Sequence, residues 1–364
     1  MDFVPLIDSI GEPQTLALVG LALGVAFGFV LQRSQFCTRS AVLELVRGKH
    51  SSSLPMWLIA FATAVLSVQL LIMNGQIDVA ETRFFSTAQS LSGAVIGGSL
   101  FGIGMILARG CASRLLVLGA SGNLRAIFST AVLAAVAWAT YQGPLVPLRN
   151  QFAGFLSSAS IGTNDLATLT GFSLTGPLLG VVVALVAVVF AIRTRLSVAL
   201  ATGGLLVGAL IAAGWFLSFS LSTQVFEPIQ AESLSYMRPL ANSLNYIASG
   251  GEESFLSMDI GIIAGTIVGA LFASLVFGSF RISTFSEAGT PHILRYAAGS
   301  ALMGFGGILA VGCTIGAGLT GGSVLAINSL LALIFVFIAG AITASVLDAR
   351  TSKTGSEALM APAE

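Results

Sequence analysis

The chain carries three thiols, Cys37, Cys111 and Cys313, among 364 residues. Two of them sit in glycine-rich segments that echo each other: GMILARGCASRLLVLGAS at 104–121 and GGILAVGCTIGAGLTGGS at 306–323. With Cys111 aligned on Cys313, residues 97–111 match 299–313 at nine of fifteen positions, and Gly119 and Ser121 recur just beyond. A single buried cysteine is ordinarily a small, inert apolar residue. Recurrence at equivalent points of a duplicated segment sets this pair apart. Cys37 has no such counterpart.

Each paired cysteine ends one apolar segment and precedes a short one, 112–119 or 314–319. If that piece is a half-helix, the N–H groups that begin at Ala112 and Thr314 point into the break. The helix dipole then favours an anion there. Gly110 and Gly312 let a ligand approach the backbone. A thiol offers a weak S–H donor and a soft acceptor, which suits a sulfur-bearing anion better than phosphate or carboxylate. A free thiol titrates near pH ~8.5 and a nearby anion disfavours the thiolate, so neutral, donating thiols are expected. Weak, repeated contacts of this kind suit conduction. Persulfide chemistry would need the thiolate.

The elements that must hold these thiols are membrane helices. The sequence is 55% hydrophobic and 9% charged, with formal net charge zero, against about 25% charged residues in soluble domains. Stretches long enough to span, roughly 17–25 residues, fall near 14–31, 55–73, 91–107, 124–141, 174–192, 196–218, 256–278, 294–311 and 324–346. Gly20, Gly24 and Gly28, and Gly261, Gly265 and Gly269, recur every fourth residue and read as packing seams.

The two cysteine segments lie in the third and eighth spans, so they cross in opposite directions. The expected fold is an all-α polytopic membrane protein of about nine transmembrane helices plus short half-helices, with two inverted repeats around a central pore. Residues 1–364 form one transporter domain: a first repeat at 14–141, a connector span at 174–192, an inverted second repeat at 196–346 and a disordered cytoplasmic tail at 347–364. Inverted repeats place substrate sites at interrupted helices where the halves meet.

Thirteen of the 16 Lys and Arg residues fall on one side of this topology, leaving only Arg83, Arg149 and Arg238 on the other. The positive-inside rule then puts the N-terminus outside and the C-terminus in the cytoplasm. Any anion attraction on the outer face must come from those three arginines and from helix ends. No Asp, Glu or His lies well inside a span, so no proton relay is visible. There is no GxxxxGK[ST] loop and no CxxC. The sequence therefore reads as a transporter and not an enzyme, with no cofactor, metal or nucleic-acid partner.

Three segments carry a family resemblance: QRSQFCTRSAVLE at 32–44, GMILARGCASRLLVLGASGN at 104–123 and GGILAVGCTIGAGLTGGSVLAINS at 306–329. The chain resembles the YeeE/YedE family of sulfur-compound transporters, and within it the thiosulfate uptake proteins. The resemblance implies a bacterial inner-membrane protein with an hourglass pore lined by Cys37, Cys111 and Cys313, along which thiosulfate passes by S–H hydrogen bonds, and so gives Cys37 a role. It also implies a cytosolic TusA-like sulfur carrier as partner. Other substrates within the family are selenium compounds or further sulfur species, and an intramembrane thiol sulfur acceptor is the alternative of a different class. In the first copy Arg114 replaces the glycine of the GCxxG pattern seen at Gly312–Gly316, where it either narrows the pore or binds the anion.

Overall fold

A computed structural model describes residues 2–48, 52–172, 174–225, 229–252, 255–287 and 290–360, with side chains of the last stretch described to 349. Lys49, and the side chains of Arg350 and Lys353, which are among the thirteen basic residues counted on one side, lie outside the described residues.

The chain is helical almost throughout. Its helices are α1 (Val4–Ile10), α2 (Glu12–Ser34), α3 (Thr38–Arg47), α4 (Ser53–Met73), α5 (Leu91–Leu107), α6 (Ala112–Ala120) and α7 (Leu124–Tyr141). They continue as α8 (Val146–Ala153), α9 (Leu166–Thr170), α10 (Thr175–Arg193), α11 (Val198–Ser222) and α12 (Met237–Ala248). α13 (Met258–Val276), α14 (Ile293–Leu309) and α15 (Ile327–Met360) complete the set. Between α14 and α15 a π-helical segment spans Thr314–Gly321. Among the described residues, 9 helical stretches are long and apolar enough to cross a membrane, one for each span expected from the sequence. α15 stays helical through Met360, over most of the stretch 347–364 that was expected to be a disordered tail. The last four residues are outside the description.

Glycine decides which helices touch. The two four-residue glycine seams meet each other: Gly24 of α2 faces Ile262 and Gly265 of α13, where an added Cβ would lie 2.5 Å from the Ile262 carbonyl oxygen. With no side chain between them, the two backbones approach closely and run parallel, Gly20 beside Met258 and Gly28 beside Thr266. α4 and α11 repeat this parallel contact, Met56 beside Gly204 and Ala60 beside Gly208.

The helices that precede the paired cysteines run the other way past each other. Gly93 of α5 meets Leu309 of α14, Gly97 meets Gly306 and Gly104 meets Gly299. That antiparallel course is the one the five-span offset requires. α10 packs chiefly on α4 and leaves Val182, Leu185, Val188 and Ile192 exposed, an apolar face suited to lipid. The core that surrounds the cysteines is built on Phe27, Phe101, Met105, Trp215 and Tyr236, all fully buried.

Candidate functional site

The three cysteines share one local design. Cys37 is the N-cap of α3, Cys111 of α6 and Cys313 of the π-helical segment, each in extended backbone conformation. Two residues before each cysteine, the chain turns through a left-handed residue: Gln35 (φ 55°), Arg109 (φ 62°) and Val311 (φ 61°). Such a residue ends a helix by reversing its backbone, usually as glycine. For a β-branched side chain like that of Val311 the conformation is an outlier, and such strain gathers at functional sites. The expected half-helices are therefore present, with the second wound as a π-helix, a form found often at functional positions.

The thiols are free and buried, Cys111 at 1% and Cys313 at 2% exposure, Cys37 at 6%. The Cys37 and Cys111 side chains interact directly. The Cys111 Sγ also lies 3.5 Å from the Ser113 hydroxyl. The Cys313 Sγ accepts a hydrogen bond from the Gly316 N–H at 3.5 Å. Ala112 and Thr314 are the first residues of the segments that follow the breaks, and the Thr314 hydroxyl is buried without a hydrogen-bond partner.

Glycine is needed at 110 and 312 by the chain's own packing. A Cβ at Gly110 would lie 2.9 Å from the Leu115 side chain, and one at Gly312 would lie 2.5 Å from the Ala317 nitrogen. Gly316 has no room for a side chain because a Cβ there would strike the Ser235 hydroxyl. The equivalent position in the first copy holds Arg114, whose guanidinium hydrogen-bonds the side chain of Gln35 and reaches Gln32 at 3.5 Å. Arg114 is thereby held beside Cys37 and Cys111, at the site and not away from it.

At one end of this cluster a cavity of about 500 Å³ is lined by Arg83, Arg149 and Arg238, with Gln89 and Tyr141, and it reaches Val311 and Gly312 beside Cys313. These are the three arginines that the sequence scattered over three separate loops. Among the described residues, no carboxylate lines it. Behind the cavity the Glu232 carboxylate, 7% exposed, bridges Arg83 and Arg238 at 2.5 Å each, and Asp259 pairs with Arg238 at 3.2 Å. Burial pulls the Arg83 pKa down, whereas the Glu232 charge raises that of Arg238. Arg83 also stacks on the Phe84 ring at 4.8 Å.

The opposite end is cationic as well. Ser90, ahead of α5, lines the cavity, so Arg109 beyond the far end of α5 lies across the protein from it. Arg109 and Arg295 cluster electrostatically with Arg39, and the Nε atoms of Arg39 and Arg295 are buried without partners.

Sequence reasoning did not find Glu232, Ser235 or Tyr236. They lie in the segment between α11 and α12, which carries no periodic signal. Yet Tyr236 is fully buried and its backbone N–H faces the Cys313 sulfur. Its side chain lies in electrostatic range of Cys111 and Cys313. One signal was available: Tyr236-Met237-Arg238 repeats the placing of arginine in Cys37-Thr38-Arg39.

Among the described residues, nine stretches able to cross a membrane, three of them broken at buried thiols that lie between two cationic ends, define a polytopic membrane transport protein. Residues 33–343 match the family described as sulphur transport, and the chain belongs to that family. It is similar to the thiosulfate transporter TsuA of Escherichia coli (strain K12), with 27% identity over 355 residues, 92% of this chain and 95% of the relative. It is also similar to the thiosulfate transporter TsuA of Spirochaeta thermophila, with 28% identity over 335 residues, 88% of this chain and 96% of the relative.

Proposed function

We propose that the protein imports thiosulfate across the inner membrane, passing the dianion along neutral thiols between two inverted halves. The names of both relatives support the substrate. The observation that carries the mechanism is the common build of the three cysteines, each an N-cap placed two residues after a left-handed break. In this reading α2–α7 and α11–α15 are the inverted halves, with α10 as connector. The N-terminus and the three-arginine cavity lie outside, and the C-terminus lies in the cytoplasm.

The anion enters the outer cavity, where Arg83, Arg149 and Arg238 offset its charge. It then meets the Cys313 thiol and the Thr314 hydroxyl, which has no other partner. From there it passes to Cys111 and Cys37, where Arg114, fixed by Gln32 and Gln35, holds it. Ala112 and Thr314 contribute helix-start N–H groups. Arg39, Arg109 and Arg295 receive it at the inner mouth.

Two negative charges moving inward oppose an inside-negative potential by about 4.6 kcal/mol per 100 mV. Consumption of thiosulfate inside, with a TusA-like sulfur carrier as recipient, keeps its internal concentration low and sets the direction. Uptake of labelled thiosulfate into proteoliposomes containing this protein alone tests the proposal. Uptake above that of empty vesicles is expected, and a selenium or sulfite substrate taken up in its place would replace the reading.

A further inference from the structure

The place of Tyr236 in the fold matches that of Cys37. Cys37 is the N-cap of α3, and α3 packs on α4. Tyr236 is the N-cap of α12, and α12 packs on α13. The pairs correspond, because α2 runs parallel to α13 as α11 runs parallel to α4. In the first half the Cys37 side chain meets Cys111. In the second, Tyr236 meets Cys313, through its N–H against the sulfur. The position that lacks a third matched cysteine is therefore filled by a phenol.

Hydrogen-bond directions show what that phenol is doing. The Tyr236 hydroxyl is 3.0 Å from Thr266 Oγ1. Thr266 spends its own proton on the Ile262 carbonyl at 2.7 Å, so its oxygen accepts from Tyr236. A hydroxyl has a single proton to give, and in this structure Tyr236 gives it to Thr266. The ring is parked against Phe27, with centroids 6.3 Å apart, and is fully buried in electrostatic range of Cys111 and Cys313. An anion at Cys313 has the thiol and the Thr314 hydroxyl as side-chain donors and lies beside a third that is engaged elsewhere.

We infer that Tyr236 is the fourth station of the pathway: its hydroxyl leaves Thr266 to bond the anion, carrying it between Cys313 and Cys111, and its ring closes that gap at rest. The inference rests on the proposed thiol pathway. It assigns to Thr266 the part of a latch, which competes with substrate for one proton. Exchange of one hydrogen-bond acceptor for another is nearly balanced in free energy, so the latched and substrate-bound positions of the hydroxyl lie close in energy.

Latch and station predict opposite signs. Tyr236→Phe keeps the ring and removes the proton, and maximal uptake should fall by about tenfold with normal amounts of protein. Thr266→Val keeps the shape and frees the phenol, and should leave uptake at or above the wild-type rate. A second readout needs no thiosulfate: labelling of Cys111 by a membrane-impermeant thiol reagent applied from the Cys313 side. It should rise several-fold in Thr266→Val and in Tyr236→Phe alike, because both lose the bond that parks the ring, so this arm stands even if the substrate proves to be another solute. Wild-type uptake in Tyr236→Phe, or a loss of uptake in both variants, overturns the inference. If Tyr236→Phe does not fold, the labelling of Thr266→Val decides alone, and an unchanged rate refutes the latch.

Discussion

Replacing Cys111 by alanine separates a relay thiol from a packing thiol. The Cys111 side chain makes no capping hydrogen bond to α6, so removing the sulfur does not uncap the half-helix. Its 1% exposure and its contacts with Ser113 and the Cys37 side chain mean that only one heavy atom is lost, at a modest cavity cost of about 1 kcal/mol. For an anion in a water-poor constriction the loss is different: one unmade hydrogen bond costs about 1–3 kcal/mol. Applied to a barrier, that slows transport by roughly five- to 150-fold.

Cys111→Ala should therefore reach the membrane in normal amount and melt within a few degrees of the parent, yet take up thiosulfate at a small fraction of its rate. Cys111→Ser should lie between the two, since a hydroxyl donates from a shorter reach. Cys313→Ala is the less clean experiment, because its sulfur also accepts from the Gly316 N–H and the cap would be lost with the thiol. Initial rates in proteoliposomes at matched protein content measure the effect. Wild-type uptake by Cys111→Ala would refute the thiol relay, whatever the substrate.

Other consequences are open to direct measurement. An impermeant thiol reagent applied to intact cells should reach Cys313 before Cys111, because the three-arginine cavity opens at Gly312; faster labelling of Cys111 would reverse the assigned orientation. Gly24→Ala drives a methyl group to within 2.5 Å of the Ile262 carbonyl oxygen, so α2 and α13 must part. A stability loss of about 1–3 kcal/mol should appear as a lower melting temperature in detergent. Val311→Gly relieves a left-handed valine (φ 61°), which costs about 1–2 kcal/mol, and should raise the melting temperature, whereas a drop would mean that the valine side chain itself is needed.

The membrane spans were legible because each is a contiguous apolar run, and the two glycine seams because their period is fixed by helix geometry. The breaks at Cys111 and Cys313 were legible because duplication wrote them twice. Cys37 gained its place only from family resemblance, since its counterpart is a tyrosine, and a thiol-to-phenol change leaves no match to align. The three-arginine cavity could not be read from sequence: Arg83, Arg149 and Arg238 stand on three separate segments, and the carboxylate that orders two of them is Glu232, far along the chain from Arg83. Arg114 was visible as a departure from pattern, but its holders, Gln32 and Gln35, lie on the turn that ends α2. The π-helical winding of Thr314–Gly321 follows from contacts such as Gly316 against Ser235, which no local propensity encodes.

The antiparallel seam between α5 and α14 also bears on kinetics. Gly97 and Gly306 bring each backbone against the other, with a Cβ at Gly97 only 2.5 Å from the Gly306 carbonyl oxygen. Backbones in such contact leave no cushion of side chains over which one half could roll against the other. A carrier that rocks as two rigid bodies must break such a seam on every cycle and re-form it, whereas rotation of a thiol or a phenol leaves it intact. On the proposed pathway turnover is limited by side-chain motions, which are faster than domain motions, and the empty protein needs no slow return step. Thiosulfate on the far side should accordingly fail to accelerate uptake from the near side. Such a molecule works as a still frame, with the direction of flux set by the concentrations and the potential across it.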